Sequence, residues 1–527
     1  MIEPTQNQNP ESKKGCIFFS VWHVVLHVLD WQGDWTGVLS RRDSDPDWRQ
    51  TTMKQPLFLV LFTTTAAFFY FGWPRAKPTP SAGSVLHSNN QSTATHRSDS
   101  RDKPSSAVEP CAMLAVPQAG EARALSSTRS SLDKDIQLCQ RDLVAARHPF
   151  DELRATPALT LEKLGWLYVE KARTTFDPGF YTLAEQCAAC LDGRQPGSSA
   201  AMLLRGHVWQ SLHRFRQAEP LARALVAQRG LPVDLGLLGD VLMEQGKLTE
   251  AIEAYQSMVD LRPDPPAYAR ISYVRWLRGD LAGALELARM AAQAAGDVKS
   301  EAAAWIQTRR SAYEWQAGHT EFAKECGQSV LQSWPDYAPA HLLLGRISLA
   351  EERRDSAVES LQRAALLNPL PEYLWALMEA LEVAGKCAEA RKIETKLTQV
   401  GPVTDPRTYA LYLATQKRES AQALALAQRE LNERADVHTH DAMAWALAAA
   451  GQWAQAHAES VQALAEGTAD PRLYLHAGLI ARRLGKSDEA QARLAQAWSM
   501  RALLLPAEQR LLNEGLTTIQ TAAVDNQ

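Results

Sequence analysis

A pattern of small residues returns about every 34 positions through the C-terminal two thirds of the chain, and this spacing constrains the fold more than any other feature. Ala323 and Ala357 are 34 residues apart, and the same distance separates Gly451 from Gly485. A fixed period of this length predicts an array of helical repeats, in which each unit buries its apolar face only by stacking on its neighbours.

Each recurring residue has a steric reason, which one unit illustrates. Gly239 and Ala251 are small enough for two antiparallel helices to approach closely, and Tyr255 fills the space between consecutive pairs. Gly246 stands where the first helix ends, at a position that favours left-handed dihedral angles. Pro263 stands where the second helix must stop, because proline cannot continue a helix.

The spacing resembles that of the tetratricopeptide repeat family, and Leu164, Gly165 and Tyr168 begin a first unit that follows it well. Later units begin near Gly206, Gly239, Ser272, Ser311, Gly345, Met378, Ala444 and Gly478, with a weaker unit between Tyr409 and Leu431. The resemblance implies an all-α fold, a right-handed superhelical solenoid of about ten antiparallel helix pairs within residues 132–504. Residues 505–527 are predicted to form a capping helix and a tail, because an array needs a polar end to cover its last pair.

The N-terminal quarter of the chain has a different composition. Residues 57–73 form an uncharged apolar run that is long enough to cross a membrane as one helix. A signal sequence is the alternative, because Met53 and Lys54 precede the run like the start of an export signal. Residues 1–52 are an uncertain extension, and we hypothesise that translation starts at Met53; an N-terminal peptide that begins at Met1 would contradict this. Residues 74–131 are predicted to be a disordered linker rich in Ser, Thr and Pro.

The basic residues beside the apolar run predict its orientation. Those that precede it are Arg41, Arg42, Arg49 and Lys54. Only Arg75 and Lys77 follow it closely, and Lys and Arg are retained on the cytoplasmic side of a membrane. We therefore expect a single-pass protein of a bacterial inner membrane with its repeats on the periplasmic side. The alternative is a secreted or periplasmic protein after cleavage of the signal.

Composition narrows the functional classes. A formal net charge of -4 gives no reason to expect nucleic acid as a partner, since such partners normally require a basic face. The seven cysteines are scattered without a spaced framework, so the sequence does not indicate a fold stapled by disulfides. The chain has neither a nucleophile elbow nor a His-Glu-x-x-His zinc motif. We predict that it is not an enzyme and that it uses no cofactor and no small-molecule substrate.

Two short motifs require a choice between chemistry and packing. Cys187 and Cys190 have the spacing of a redox or metal pair, but they lie within a predicted second helix, where small residues pack. Residues His438 to Asp441 could bind a metal through three side chains, but they lie just before a predicted helix, where Thr or Asp serves as an N-cap. Packing and capping are the favoured interpretations.

The family resemblance implies a concave surface made by the first helix of each pair. The residue after each Gly position, and those three or four positions further on, are then predicted to face this groove. These partner-binding candidates are His207, Asp240, Met243, Tyr273, Trp276, Trp315, Arg346, Glu379, Trp445 and Arg482. For each of them the alternative is packing against the next helix.

The resemblance thus implies a non-catalytic scaffold that binds a peptide or a partner protein in the concave groove of the array. One alternative is a thiol-redox or metal-binding accessory that uses Cys187 and Cys190. A second alternative is an assembly or export factor for components of the cell envelope. The membrane would be a further partner, contacted through residues 57–73.

Overall fold

The computed structural model describes residues 127–145 and 157–525, with side chains over 131–144 and 157–517. All regular structure in these ranges is helical, as the sequence predicts. The 22 α-helices are α1 (Ser127–Ala145), α2 (Pro157–Thr175), α3 (Gly179–Arg194), α4 (Ser199–Ser211), α5 (Phe215–Gln228), α6 (Pro232–Glu244), α7 (Leu248–Leu261), α8 (Pro265–Leu277), α9 (Leu281–Ala295), α10 (Glu301–Gln316), α11 (Thr320–Ser333), α12 (Ala338–Ala350), α13 (Arg354–Leu367), α14 (Pro371–Val383), α15 (Cys387–Thr404), α16 (Pro406–Thr415), α17 (Ser420–Glu433), α18 (Val437–Ala449), α19 (Trp453–Ala463), α20 (Pro471–Arg483), α21 (Ser487–Ser499) and α22 (Pro506–Asp525).

Helices α2 to α21 form ten consecutive pairs, and within each pair the two helices contact each other closely. Each pair also contacts the next, so the core continues along the array instead of gathering in one centre. A short 3-10 helix at Arg501–Leu503 separates the last pair from α22. Helix α1 begins at Ser127, inside the segment predicted as linker. The sequence places the start of the helix too late because the first turn is polar and the apolar pattern starts only at Leu132.

Local sequence explains where the first helices begin. Asp264 accepts a hydrogen bond from the backbone N–H of Ala267 at 3.1 Å, and Pro265 occupies the first helical position, where its missing N–H costs nothing. Within the described ranges, four other pairs have a first helix that starts with the same kind of cap, in which a side chain accepts from a backbone N–H of the first turn. The capping residues are Ser300, Asp405, Asp436 and Asp470.

The small residues of the repeat allow the close approach that was predicted. A Cβ atom on Gly239 would lie only 2.3 Å from the ring of Tyr255. One on Gly345 would lie 2.6 Å from the side chain of Leu361. Gly246 ends its helix with a φ of +74°, in the left-handed region that other residues rarely adopt.

Where a unit has Ser at the Gly position, the hydroxyl group finds a partner in the opposite helix. The Oγ atoms of Ser272 and Ser311 each donate a hydrogen bond of 2.6 Å, to the backbone carbonyls of Ala284 and Ala323. Both bonds span 12 residues, so the two units share one geometry. A buried hydroxyl is tolerated at this contact because it is fully hydrogen-bonded.

The predicted membrane segment at 57–73 lies outside the described residues, as do residues 1–52 and most of the predicted linker. None of the helices within 127–145 and 157–525 combines the length and the apolar character that a membrane span requires.

Candidate functional site

The inner side of the array is partly covered by the chain itself. Residues of the middle units are hydrogen-bonded to the segments that connect the last helices, and we call these contacts the seam. Thr468 Oγ donates to the carbonyl of Leu277 at 2.6 Å, across 191 residues of sequence. Gln316 Nε2 donates to the carbonyl of Ala469 at 2.6 Å. Arg346 reaches the carbonyl of Leu503, also at 2.6 Å. The groove predicted from the sequence is therefore narrowed by the last repeats.

Two cavities remain beside the seam. One, of about 520 Å³, lies between residues of the early units, such as Met243, and the loop that carries Ala435 and Asp436. The other, of about 370 Å³, we call the aromatic cavity. The rings that line the aromatic cavity are Tyr273, Trp276, Trp315, Trp375 and His438. The two cavities adjoin, because Tyr273, Arg407 and His438 line both.

Five of the ten predicted groove residues line these cavities. Met243 lines the first cavity, Tyr273 lines both, and Trp276, Trp315 and Arg346 line the aromatic cavity. The rings of Tyr273 and Trp276 are stacked with centroids 5.7 Å apart. The Trp276 Nε1–H donates to the side-chain oxygen of Gln316 at 2.8 Å, which fixes the orientation of the indole. The structure thus brings together the aromatic candidates of the middle units.

Asp240 does not face an open groove, because its carboxylate is the centre of a buried network. Arg270 donates to it through Nε and Nη2 at 2.8 and 2.7 Å, and the hydroxyl of Tyr255 donates at 2.8 Å. Gln210 adds a fourth bond at 3.2 Å. These groups lie on α4, α6, α7 and α8, so the network joins three consecutive helix pairs.

Three further candidates contact other residues of the chain. His207 packs edge-on against the ring of Trp166, and burial lowers its pKa to about 3, so it is neutral near pH 7. Trp445 stacks on His476 with centroids 4.2 Å apart. Arg482 donates to the carbonyl of Gly515 in α22 at 3.0 Å. Each of these residues contacts a neighbouring helix of this chain, and a role in binding a partner stays a prediction for them.

Glu379 holds the start of α22 in place. Its carboxyl group is almost fully buried and accepts hydrogen bonds from Trp375 Nε1 and, at 2.7 Å, from the backbone N–H of Ala507. Burial raises the pKa of Glu379 to about 7, although these two donors oppose the change. Glu379 therefore caps the start of α22.

This raised pKa predicts a dependence of stability on pH. Between about pH 4.5 and 7 the folded chain holds a proton on Glu379 that the unfolded chain has lost, so stability falls as the pH rises through this window. We expect Glu379→Gln to reduce this fall by about 1 to 3 kcal/mol, measured as the free energy of unfolding at pH 5 and pH 8. Part of the fall should remain, because burial also raises the pKa of Glu244 to about 7.

The matched control is Glu372→Gln on the same helix, whose side chain is 55 % exposed. It should keep the dependence on pH of the unmodified protein. If Glu379→Gln kept that dependence as well, Glu379 would not be the group that titrates.

The aromatic cavity contains residues that the sequence analysis missed. Among them are Arg309, Leu343, Trp375 and Asp441, the last of which was considered only as a metal ligand or helix cap. Each of these four residues lies three or four positions before a predicted inward-facing position, as Arg309 lies three before Ala312. Residues three or four positions apart share one face of a helix. Counting back from each inward-facing position, as well as forward, would therefore have identified these four.

Neither short motif forms a reactive site. Cys187 is a free thiol that is fully buried, and burial raises its pKa, whereas Cys190 is disulfide-bonded. The two sulfur atoms are therefore not bonded to each other. The helix predicted to start after Asp441 begins at Val437, and its cap is Asp436, which accepts from the N–H of Thr439 at 2.8 Å. No group of three potential metal ligands occurs in the part of the chain that the structure describes.

The model of the tetratricopeptide repeat family matches residues 203–266 and, in a second overlapping match, residues 237–298. Helices α5 to α9 and most of α4 lie in this range, so this part of the chain is similar to tetratricopeptide repeats. No curated protein matches the sequence.

Several solved structures are similar to this chain at low sequence identity. The human IFIT1 dimer with PPP-AAAA is 13% identical, with a TM-score of 0.41 over 72% of this chain and 92% of that one. Yeast Tom70 is 12% identical, with a TM-score of 0.32 over 76% and 94%. The APC/C hetero-tetramer Cut9-Hcn1 is 12% identical, with a TM-score of 0.37 over 73% of this chain. This chain spans 62% of the length of that structure's chain.

Proposed function

We propose that this array of tetratricopeptide repeats is a non-catalytic scaffold that holds a peptide or a partner protein against the inner side of its first helices. The observation that carries the proposal is the placement of Met243, Tyr273, Trp276, Trp315 and Arg346 around two adjoining cavities. Methionine, aromatic residues and arginine are the side chains that most often anchor protein partners, because they combine large apolar area with directional polar groups.

The thiol-redox alternative has no support among the described residues. A reactive cysteine needs a lowered pKa and access to solvent, whereas Cys187 is buried and its pKa is raised. An assembly or export factor for the cell envelope would be a scaffold with a particular partner, and no observation favours that partner over others.

Photo-crosslinking in cells tests the scaffold proposal. Met243 is replaced by p-azidophenylalanine, which places its reactive aryl azide at the first cavity. The control carries the same residue at Glu359, which is exposed on the second helix of its pair. We expect a crosslinked partner from position 243 and none from 359. Crosslinks only from position 359 would place the binding surface on the outside of the array.

We also propose that the array is held at a bacterial inner membrane by residues 57–73 and lies on its periplasmic side. Cys190 takes part in a disulfide, and disulfides persist in oxidising compartments. Of the free thiols among the described residues, Cys139, Cys187 and Cys326 are buried and fit such a compartment, whereas Cys387 is exposed and argues against it. Protease added to intact spheroplasts should digest the array, and protection until lysis would place it in the cytoplasm.

A further inference from the structure

One cation in the aromatic cavity lacks an acidic partner. Arg309 lies on α10, and its guanidinium carbon is 5.2 Å from the ring centre of Tyr273 and 5.5 Å from that of Trp305. No carboxylate of the described residues forms an ion pair with it. Stacking on rings holds a guanidinium in place without consuming its N–H donors. Arg309 is therefore positioned to receive an acceptor from outside the chain.

The other arginines of this cavity already have partners. Arg407 is bonded to Asp436 at 3.0 Å, and Arg472 to Glu508 at 2.5 Å. Arg346 donates to a backbone carbonyl of the seam and lies 3.7 Å from the carboxylate of Glu372. Arg309 is thus the arginine of this cavity whose guanidinium has no acidic partner among the described residues. One guanidinium can pair with one carboxylate.

The surface near this guanidinium is apolar. Ala312, Leu343 and Leu411 line the same cavity, together with the stacked rings of Tyr273 and Trp276. An apolar or aromatic side chain adjacent to the bound carboxylate would bury its surface there. The recognition chemistry is therefore an acidic group with an apolar neighbour.

A polyanion fits this cavity less well than one carboxylate does. The acidic residues that line it are Glu372, Asp441, Asp470 and Glu508. They balance the four arginines in number, so a chain of phosphates would meet as many negative as positive groups. A peptide with one acidic side chain avoids this repulsion.

We propose that the aromatic cavity binds an acidic side chain of an extended peptide segment through Arg309, with an apolar or aromatic neighbour of that residue against Leu343 and Leu411. The proposal rests on the scaffold function and specifies its ligand. It makes Arg309 a specificity-determining residue of the array.

Selection from a displayed library of random peptides of about twelve residues tests it, because an extended segment of that length can span both cavities. The full chain is compared with Arg309→Gln and with the control Arg483→Gln. Arg483 also stacks on a tryptophan, Trp453 at 5.5 Å, but is exposed and lines neither cavity. Circular dichroism first establishes that all three proteins are equally helical.

We expect the unmodified chain and Arg483→Gln to enrich peptides with Asp or Glu next to an apolar or aromatic residue. Arg309→Gln should lose the preference for the acid and bind the best peptide about tenfold or more weakly, as expected for the loss of one charged hydrogen bond. Peptide binding without a preference for acids, or a preference that survives Arg309→Gln, would overturn the inference and leave the scaffold function intact. Failure to enrich any peptide would contradict both the inference and the scaffold function. Stronger binding of a single-stranded RNA oligonucleotide than of any peptide would mean that the cavity takes a polyanion and not an acidic peptide.

Discussion

Gly239→Leu should destabilise the array by about 3 kcal/mol, because the helices of its unit leave no room for a side chain. Even a Cβ atom would lie 2.3 Å from the ring of Tyr255, which is fully buried and held by its hydrogen bond to Asp240. The ring cannot move aside without breaking that bond. The measurement is the midpoint of urea unfolding, followed by circular dichroism.

The same substitution at Gly193 is the control. Gly193 also lies in a helix, α3, but a Cβ atom there would meet nothing within 4 Å. Gly193→Leu should therefore stabilise the protein by up to about 1 kcal/mol, because leucine favours the helix more than glycine does. Opposite signs at the two positions are the expected result. Stabilisation at both positions would mean that helix propensity, and not packing, sets the effect at Gly239.

Asp240→Ala should cost about 3 kcal/mol, because it leaves the partly buried guanidinium of Arg270 without its carboxylate. The hydroxyl of Tyr255 loses its acceptor at the same time. Urea unfolding measures the loss. The control is Asp297→Ala, which removes an ion pair with Lys299 whose side chains are 79% and 83% exposed. It should change stability by less than about 0.5 kcal/mol.

These variants also separate the two interpretations of Asp240. A purely partner-binding aspartate could be removed with little effect on the free protein. An effect of Asp240→Ala no larger than that of Asp297→Ala would restore Asp240 to the binding surface.

The sequence predicts the repeats well because their spacing follows from contacts within one unit and with its neighbour. The contact of Gly239 with Tyr255 and the positive φ of Gly246 depend on residues fewer than 20 positions away. Both features therefore recur with the repeat and can be recognised from its spacing. Where serine replaces glycine, as at Ser272, the pattern weakens but the contact survives through a hydrogen bond. The number of helix pairs could therefore be predicted from local residues.

The site was harder to predict because hydrogen bonds and ion pairs decide the role of each residue, and the repeat spacing does not reveal these contacts. Asp240 and Glu379 follow Gly positions in the pattern as Tyr273 does, yet Asp240 is bonded to Arg270 and Glu379 caps α22. The repeat pattern indicates which residues lie on the inner side of the array. Their hydrogen bonds and ion pairs to neighbouring residues decide which of them remain available to a partner. Arg309 differs from the other cavity arginines only in this respect.

The seam changes how the array can fold and unfold. Repeats that contact only their neighbours have low contact order, and their terminal units can fray one at a time. The bonds of Thr468, Gln316 and Arg346 instead join residues 153 to 191 positions apart. Closing such long loops delays the final step of folding, because chain entropy must be lost before these contacts form. Once the seam is closed, losing the last units also removes contacts from the middle of the array, so the two regions become one cooperative unit.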